Sequence, residues 1–147
     1  MTAPVDPTPL TLTLLRRAIA LAAEARDGGN PPFGSLLALP DGTVLAEERN
    51  TTLTDRDITA HPELKLARWA ARELDPAVAA RTTLYTSCEP CGMCEAVIRQ
   101  AGLRRVVFAL SGEQLLEIRP GSGRLPVPQE GPALLDEVRS VVEPYYR

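Results

Sequence analysis

At 147 residues, 44% hydrophobic and 24% charged, the chain has the make-up of one ordinary globular domain, long enough to bury about two-thirds of the surface its unfolded form exposes. No apolar run approaches the ~20 residues that span a bilayer, and the segment from Leu10 to Ala25 is interrupted by Arg16-Arg17 with no basic stretch ahead of it, so it does not read as a secretory leader. A net charge of −3, with fifteen Arg and a single Lys (Lys65), lacks the basic footprint of a nucleic-acid binder.

Met1 to Pro9, with three prolines, reads as a lead-in to a single domain spanning 1–147. Apolar residues at Leu12, Leu15, Ala18, Ile19, Ala22 and Ala23 predict a helix that Gly28-Gly29 ends. Phe33 to Leu39 and Thr43 to Arg49 predict a hairpin around the turn Pro40-Asp41-Gly42. Thr59 is the expected N-cap of a helix running to about Leu74, stopped by Asp75-Pro76. Arg81 to Ser87 reads as a strand, Glu89-Pro90 as the opening of a helix closed by Gly102, and Arg105 to Leu110 as a buried strand. Gly121, Gly123 and several prolines surround a candidate edge strand at Leu125 to Val127. The last helix is expected over Pro132 to Glu143, with Leu134, Leu135, Val138, Val141 and Val142 turned inward. This order predicts an α/β fold, a three-layer α/β/α sandwich around a mixed sheet of about five strands. The strand–helix–strand unit from Arg81 to Leu110 implies a parallel pair.

The three cysteines share one seven-residue window, Cys88 to Cys94. Such crowding suits a metal site in a reducing, cytoplasmic setting better than a disulfide framework. His61, the chain's one histidine, precedes Pro62-Glu63, and Cys91-Gly92-Met93-Cys94 follows Pro90. A catalytic zinc takes three protein ligands and keeps a fourth position open. Cys91 and Cys94, at i and i+3, can face one point at a helix start, and His61 opens another helix. Two helix N-termini aimed at one spot favour thiolates. The expected ligands of one Zn²⁺ are therefore His61, Cys91 and Cys94. Glu63, two residues past the histidine, suits a general acid–base that moves protons beside the metal. Cys88, three before Cys91, leaves open a Cys₃His closure that would make the site structural.

H-x-E followed by P-C-x-x-C is the zinc-deaminase signature. Thr86-Ser87-Cys88-Glu89-Pro90-Cys91-Gly92-Met93-Cys94 resembles the SCEPCxMC block of guanine deaminases, and Asp57-Ile58-Thr59-Ala60-His61-Pro62-Glu63 their DPTAHAE block. From about Leu12 to Leu110 the chain resembles the cytidine deaminase-like superfamily, in the branch that holds guanine, cytosine and tRNA adenosine deaminases. The resemblance implies the sandwich fold, a homodimer, and a base held by Asn50, with Phe33 of Pro32-Phe33-Gly34-Ser35 (similar to the family's PFGA) lining the pocket. Glu113 lies near the place of a second carboxylate in guanine deaminases, and Tyr145 or Tyr146 is a candidate lid over the base. Each has a plainer reading: a turn residue, a core residue, a surface carboxylate and a frayed C-terminus.

Pro62 departs from the resembled pattern, which has Ala or Gly between His and Glu and uses that residue's N–H on a substrate carbonyl. Proline has no N–H to give. The expected activity is zinc-dependent hydrolytic deamination of a free heterocyclic base, either a guanine or isoguanine, a cytosine or azacytosine, or an amino-triazine. The alternatives are a tRNA adenosine deaminase, a non-catalytic zinc-stabilised binding module, and a metal-free Cys–His hydrolase. A small-molecule partner is expected, and neither nucleic acid nor a membrane.

Overall fold

A computed structural model describes residues 3–5, 8–121 and 125–147. Helix α1 covers Pro9–Asp27, capped by the Thr8 hydroxyl, which accepts from the Thr11 N–H. It is followed by β1 (Gly34–Ala38), β2 (Val44–Arg49), α2 (Pro62–Glu73), the short α3 (Pro76–Ala79), β3 (Thr83–Cys88), α4 (Gly92–Gln100) and β4 (Arg105–Leu110). Helices α5 (Gly112–Ile118) and α6 (Leu135–Val142) then precede a 3₁₀ turn, Glu143–Tyr146.

The sheet order is β2-β1-β3-β4, with β1 antiparallel to both neighbours and β3 parallel to β4 across α4. Every residue of β1 is buried, as a strand covered on both faces requires. Alternation sorts its side chains into two cores. Leu36 and Ala38 join Tyr85, Val107 and the α1 residues Leu14 and Leu15 on one face. Leu37 and Leu84 join Leu64, Leu66, Ala67 and Ala70 of α2 and Cys94 and Ile98 of α4 on the other. These are the three expected layers.

The buried stripe of α1 is Leu14, Leu15, Ala18, Leu21, Ala22 and Ala25, turned from the predicted one so that Ile19 is 49% exposed. The small residues win because the helix lies almost on the backbone at Gly34. A Cβ there would come within 2.5 Å of the Ala22 nitrogen and the Leu21 Cβ.

Several expectations are corrected. The sheet has four strands among the described residues, and Leu125 to Val127 form no strand; Gly123 lies outside the described residues. Helix α5 was not expected, although Ser111 and Gln114 form a capping box there. Helix α2 takes His61 as N-cap, with Pro62 as its first residue, because a proline fits that position. Thr59 is drawn off instead into a turn with the Asp57 carboxylate, which accepts from its N–H and its hydroxyl. Pro90 lies outside α4, whose N-cap is Cys91. The apolar residues of α6 do not turn inward: Leu134, Leu135, Val138, Val141 and Val142 are 45–76% exposed.

Gly34→Ala is expected to lower stability by about 1–3 kcal/mol through overpacking, a fall in thermal midpoint of roughly 3–10 °C. A midpoint within a degree of wild type would show that α1 is free to back away.

Candidate metal centre and active site

Three element ends meet above the sheet. His61 caps α2, Cys91 caps α4, and Cys94 stands one turn inside α4. Neither cap residue uses its side chain to bond its own helix; both side chains turn toward each other. His61 Nδ1 lies 3.4 Å from Cys94 Sγ and 3.7 Å from Cys91 Sγ. Zn–N and Zn–S bonds meeting at a tetrahedral angle separate N from S by about 3.6 Å. The two N–S separations therefore already stand near the edge length of a zinc tetrahedron, and all three donors lie within 4.8 Å of one another. Among the described residues they are the only group of His, Cys, Asp or Glu close enough to share an ion. Cys88 does not belong to it. It is buried at the end of β3, and burial together with the neighbouring carboxylates of Glu63 and Glu89 pushes its thiol up to about 11.

The two ligand sulfurs share charge. Hydrogen bonding from Cys94, then from His61, pulls Cys91 down to about 3, while the same bond and burial push Cys94 up. The shared hydrogen bond thus favours thiolate on Cys91 over Cys94, and a cation held between them would let the second thiol ionise.

Glu63, on the first turn of α2, is 6% exposed. Burial pushes its carboxyl up from the usual range, against the opposing effects of backbone hydrogen bonding, His61 and the Ser35 hydroxyl. Its Oε1 lies 3.2 Å from Ser35 Oγ on β1, which is 2.8 Å from Thr86 Oγ1 on β3. Sequence reasoning missed this hydroxyl pair. The available signal was alternation: Ser35 and Thr86 fall on the same strand faces as Leu37 and Leu84, where an apolar residue is the default.

The other sequence-predicted residues divide into two groups. Pro62 is buried between His61 and Glu63. Asn50, 3% exposed at the end of β2, donates its backbone N–H to the Phe33 carbonyl at 2.9 Å. The next residue, Thr51, donates to the Ala60 carbonyl beside His61. Asn50 and Phe33 are thereby tied together and to the ligand-bearing segment. The Asn50 Oδ1 accepts from the Thr52 N–H and hydroxyl, both at 2.9 Å. Another asparagine absent from the sequence reading, Asn30, accepts through Oδ1 from the N–H groups of Leu53 and Thr54 and so fixes the loop after Asn50. In contrast, Glu113 is exposed at the start of α5, and Tyr145 is 82% exposed with its ring edge-on to Tyr146. No hydrogen bond or ion pair joins either to this site.

Residues 10–110 match the cytidine and deoxycytidylate deaminase zinc-binding region. The chain belongs to this family. A probable cytosine deaminase of Schizosaccharomyces pombe is 37% identical over 118 residues, 78% of this chain and 69% of that protein. The solved guanine deaminase of Bacillus subtilis superposes with a TM-score of 0.75 at 30% identity, covering 92% of both chains. A tRNA-specific adenosine deaminase of Haemophilus influenzae is 32% identical over 98 residues, 67% of this chain but 57% of that protein, so the match spans well under two-thirds of its length. The zinc-binding deaminase family and the His61, Cys91 and Cys94 geometry agree on the cofactor: these residues can hold one zinc. No helix among the described residues is long and apolar enough to cross a membrane.

One zinc per chain is expected to copurify, and His61→Ala or Cys91→Ala to lose it, because three ligands leave none to spare. Cys88→Ser is expected to retain it. Metal analysis decides; zinc lost from Cys88→Ser would restore the Cys₃His closure.

Proposed function

We propose that the protein hydrolyses the exocyclic C–N bond of a free heterocyclic base, releasing ammonia. The observation that carries the reading is a buried carboxyl, Glu63, held two residues from one member of a preformed three-donor metal centre. A zinc ion held there supplies a Lewis acid that lets water act as nucleophile near neutral pH. Glu63 is assigned the protons. It takes one from the attacking water, delivers it to the ring nitrogen as the C–O bond forms, and carries the second to the amine as the C–N bond breaks. Its burial supports the role, because burial pushes the carboxyl up from its usual range, the direction a general acid–base needs. Asn50 and Phe33 are assigned to the base.

A free base, rather than a base within tRNA, is favoured by the acidic balance of the chain and its lack of a long basic run. The names of the cytosine and guanine deaminase relatives point the same way. Pro62 narrows the choice. A substrate carbonyl pressed against His61-Pro62-Glu63 finds no N–H there, and a buried acceptor left unpaired costs about 1–3 kcal/mol, roughly ten- to a hundredfold. Rings that do not press a carbonyl there, or that are electron-poor enough to accept hydroxide readily, as aza-pyrimidines and amino-triazines are, therefore suffer less than cytosine or guanine.

One assay tests the whole reading: ammonia release by wild type, Glu63→Gln and Pro62→Ala from guanine, cytosine, their aza and isomeric analogues, and a tRNA anticodon stem-loop. Wild type is expected to prefer the analogues, and Pro62→Ala to raise the ordinary bases relative to them. Glu63→Gln is expected to lose turnover by roughly 10² or more while keeping its zinc, since an amide cannot shuttle protons. Near-wild-type rates in Glu63→Gln would sink the mechanism, and turnover confined to the stem-loop would replace the substrate class.

The partner in this proposal is a second copy of the chain. Leu134, Leu135, Val138, Val141 and Val142 line α6, and Leu116 and Ile118 stand exposed on α5. So much apolar surface on consecutive elements is a mark of an interface. Tyr145 continues that surface and is assigned the lid over the base. The reducing setting implied by three free cysteines is cytoplasmic. Light scattering is expected to give twice the chain mass; a monomer at micromolar concentration would remove the dimer.

A further inference from the structure

Where Glu63 meets the sheet, hydroxyls rather than apolar side chains fill the interior. Ser35 of β1 and Thr86 of β3 stand directly opposite across the antiparallel pair, and both are fully buried. They occupy the face that elsewhere presents Leu37 and Leu84 to α2 and α4. Buried hydroxyls in such a place are tolerated only when hydrogen-bonded, and these bond one another, Glu63 and the Cys88 carbonyl. Thr86 Oγ1 donates to the Cys88 carbonyl at 3.1 Å. A carbonyl only accepts, so the Thr86 proton is committed and its oxygen offers Ser35 lone pairs alone. Ser35 then has one proton and two acceptors within reach, Thr86 Oγ1 at 2.8 Å and Glu63 Oε1 at 3.2 Å.

With the Thr86 proton committed to the Cys88 carbonyl, Ser35 Oγ is placed to donate to Glu63 Oε1. That bond fixes one oxygen of the carboxyl from the side of the sheet and leaves the other, Oε2, outside the chain of hydroxyls.

We infer that Ser35 is a positioning residue for Glu63, holding its carboxyl through a chain of hydrogen bonds from Glu63 to Ser35 to Thr86 to the Cys88 carbonyl. The inference rests on the proposed role of Glu63. Ser35 lies behind the carboxyl, on the sheet, and is not among the metal donors. Its loss therefore falls on the proton-transfer step and not on substrate or metal affinity: kcat drops while KM and zinc content hold.

The experiment measures kcat and KM by ammonia release on whichever base of the panel wild type turns over fastest, with zinc content and thermal midpoint for each variant. The variants are Ser35→Ala, the isosteric Thr86→Val, Glu63→Gln, and Ser35→Ala combined with Glu63→Gln. Ser35→Ala is expected to lower kcat by roughly tenfold, the scale of a lost bond to a charged group, with KM within about twofold and a full complement of zinc. Thr86→Val is expected to lower it less, because Ser35 keeps its bond to Glu63. In the Glu63→Gln background Ser35→Ala is expected to cost nothing further. An equal loss in both backgrounds would mean a merely structural role and would overturn the inference. So would an inactive Glu63→Gln beside a Ser35→Ala with unchanged kcat, an outcome that leaves the reading of Glu63 standing. A fully active Glu63→Gln would overturn that reading and this inference together.

Discussion

Helices α2 and α4 begin on N-cap residues whose side chains do not bond the helix. His61 and Cys91 stand where Ser, Thr, Asp or Asn would stabilise a helix by about 1 kcal/mol. Both are turned instead toward a shared point between α2 and α4. The partial positive charge of two helix N-termini favours thiolate there, and the hydrogen bond between the sulfurs lowers Cys91 while it raises Cys94. A divalent ion held by the three donors would supply the charge that lets the second thiol ionise as well. The site is also continuous with the packing. Cys94 is fully buried and belongs to the same core as Leu64, Ala67 and Ile98, so the ligand edges of 3.4 and 3.7 Å are set by the fit of α2 against α4 and the sheet. Preorganisation of this kind comes from the core and not from the loops.

The parts of the fold legible in the sequence are those whose signals are local. Gly28-Gly29 and Gly102 end their helices, the latter with the positive φ of +79° that glycine accepts. The β1–β2 hairpin turns at Pro40-Asp41-Gly42, and the run Arg105 to Leu110 forms β4 with its predicted bounds, though not as the buried strand expected: it ends the sheet order and only Val107 in it is buried. The zinc ligands were legible because spacing at a helix start is itself local. What escaped was decided by tertiary context. Apolar periodicity located α6 and named its apolar face, yet periodicity carries no information about what covers that face, and the residues expected inward are exposed. The capping box of α5 was present in Ser111-Gly112-Glu113-Gln114 but followed a strand so closely that it passed for loop. Leu125 to Val127 had the composition of a strand and no neighbour to pair with. Ser35 and Thr86 looked like ordinary strand residues, and only the register of β1 against β3 makes them a pair beneath Glu63.

Donor and acceptor arithmetic at Asn50 and Pro62 constrains how a base can sit on the proposed reading. The Asn50 Oδ1 accepts from the Thr52 N–H, which can only donate, so the oxygen is identified and already engaged. What the Asn50 side chain has left to give is its NH₂ group, a donor. On the opposite side, Pro62 removes the one backbone donor that its position would otherwise offer. A base therefore meets a donor at Asn50, none at Pro62, and the proton of Glu63 beside the metal donors. The orientation that leaves nothing unpaired sets a ring nitrogen or carbonyl toward Asn50, the ring nitrogen that is to be protonated toward Glu63, and a bare edge toward Pro62. On that reading an additional ring nitrogen acts in two ways: it gives Asn50 an acceptor, and it leaves the reacting carbon more electron-poor, so that hydroxide adds even where Pro62 offers a carbonyl no donor. One imino acid can thereby shift specificity between rings that present the same amino group.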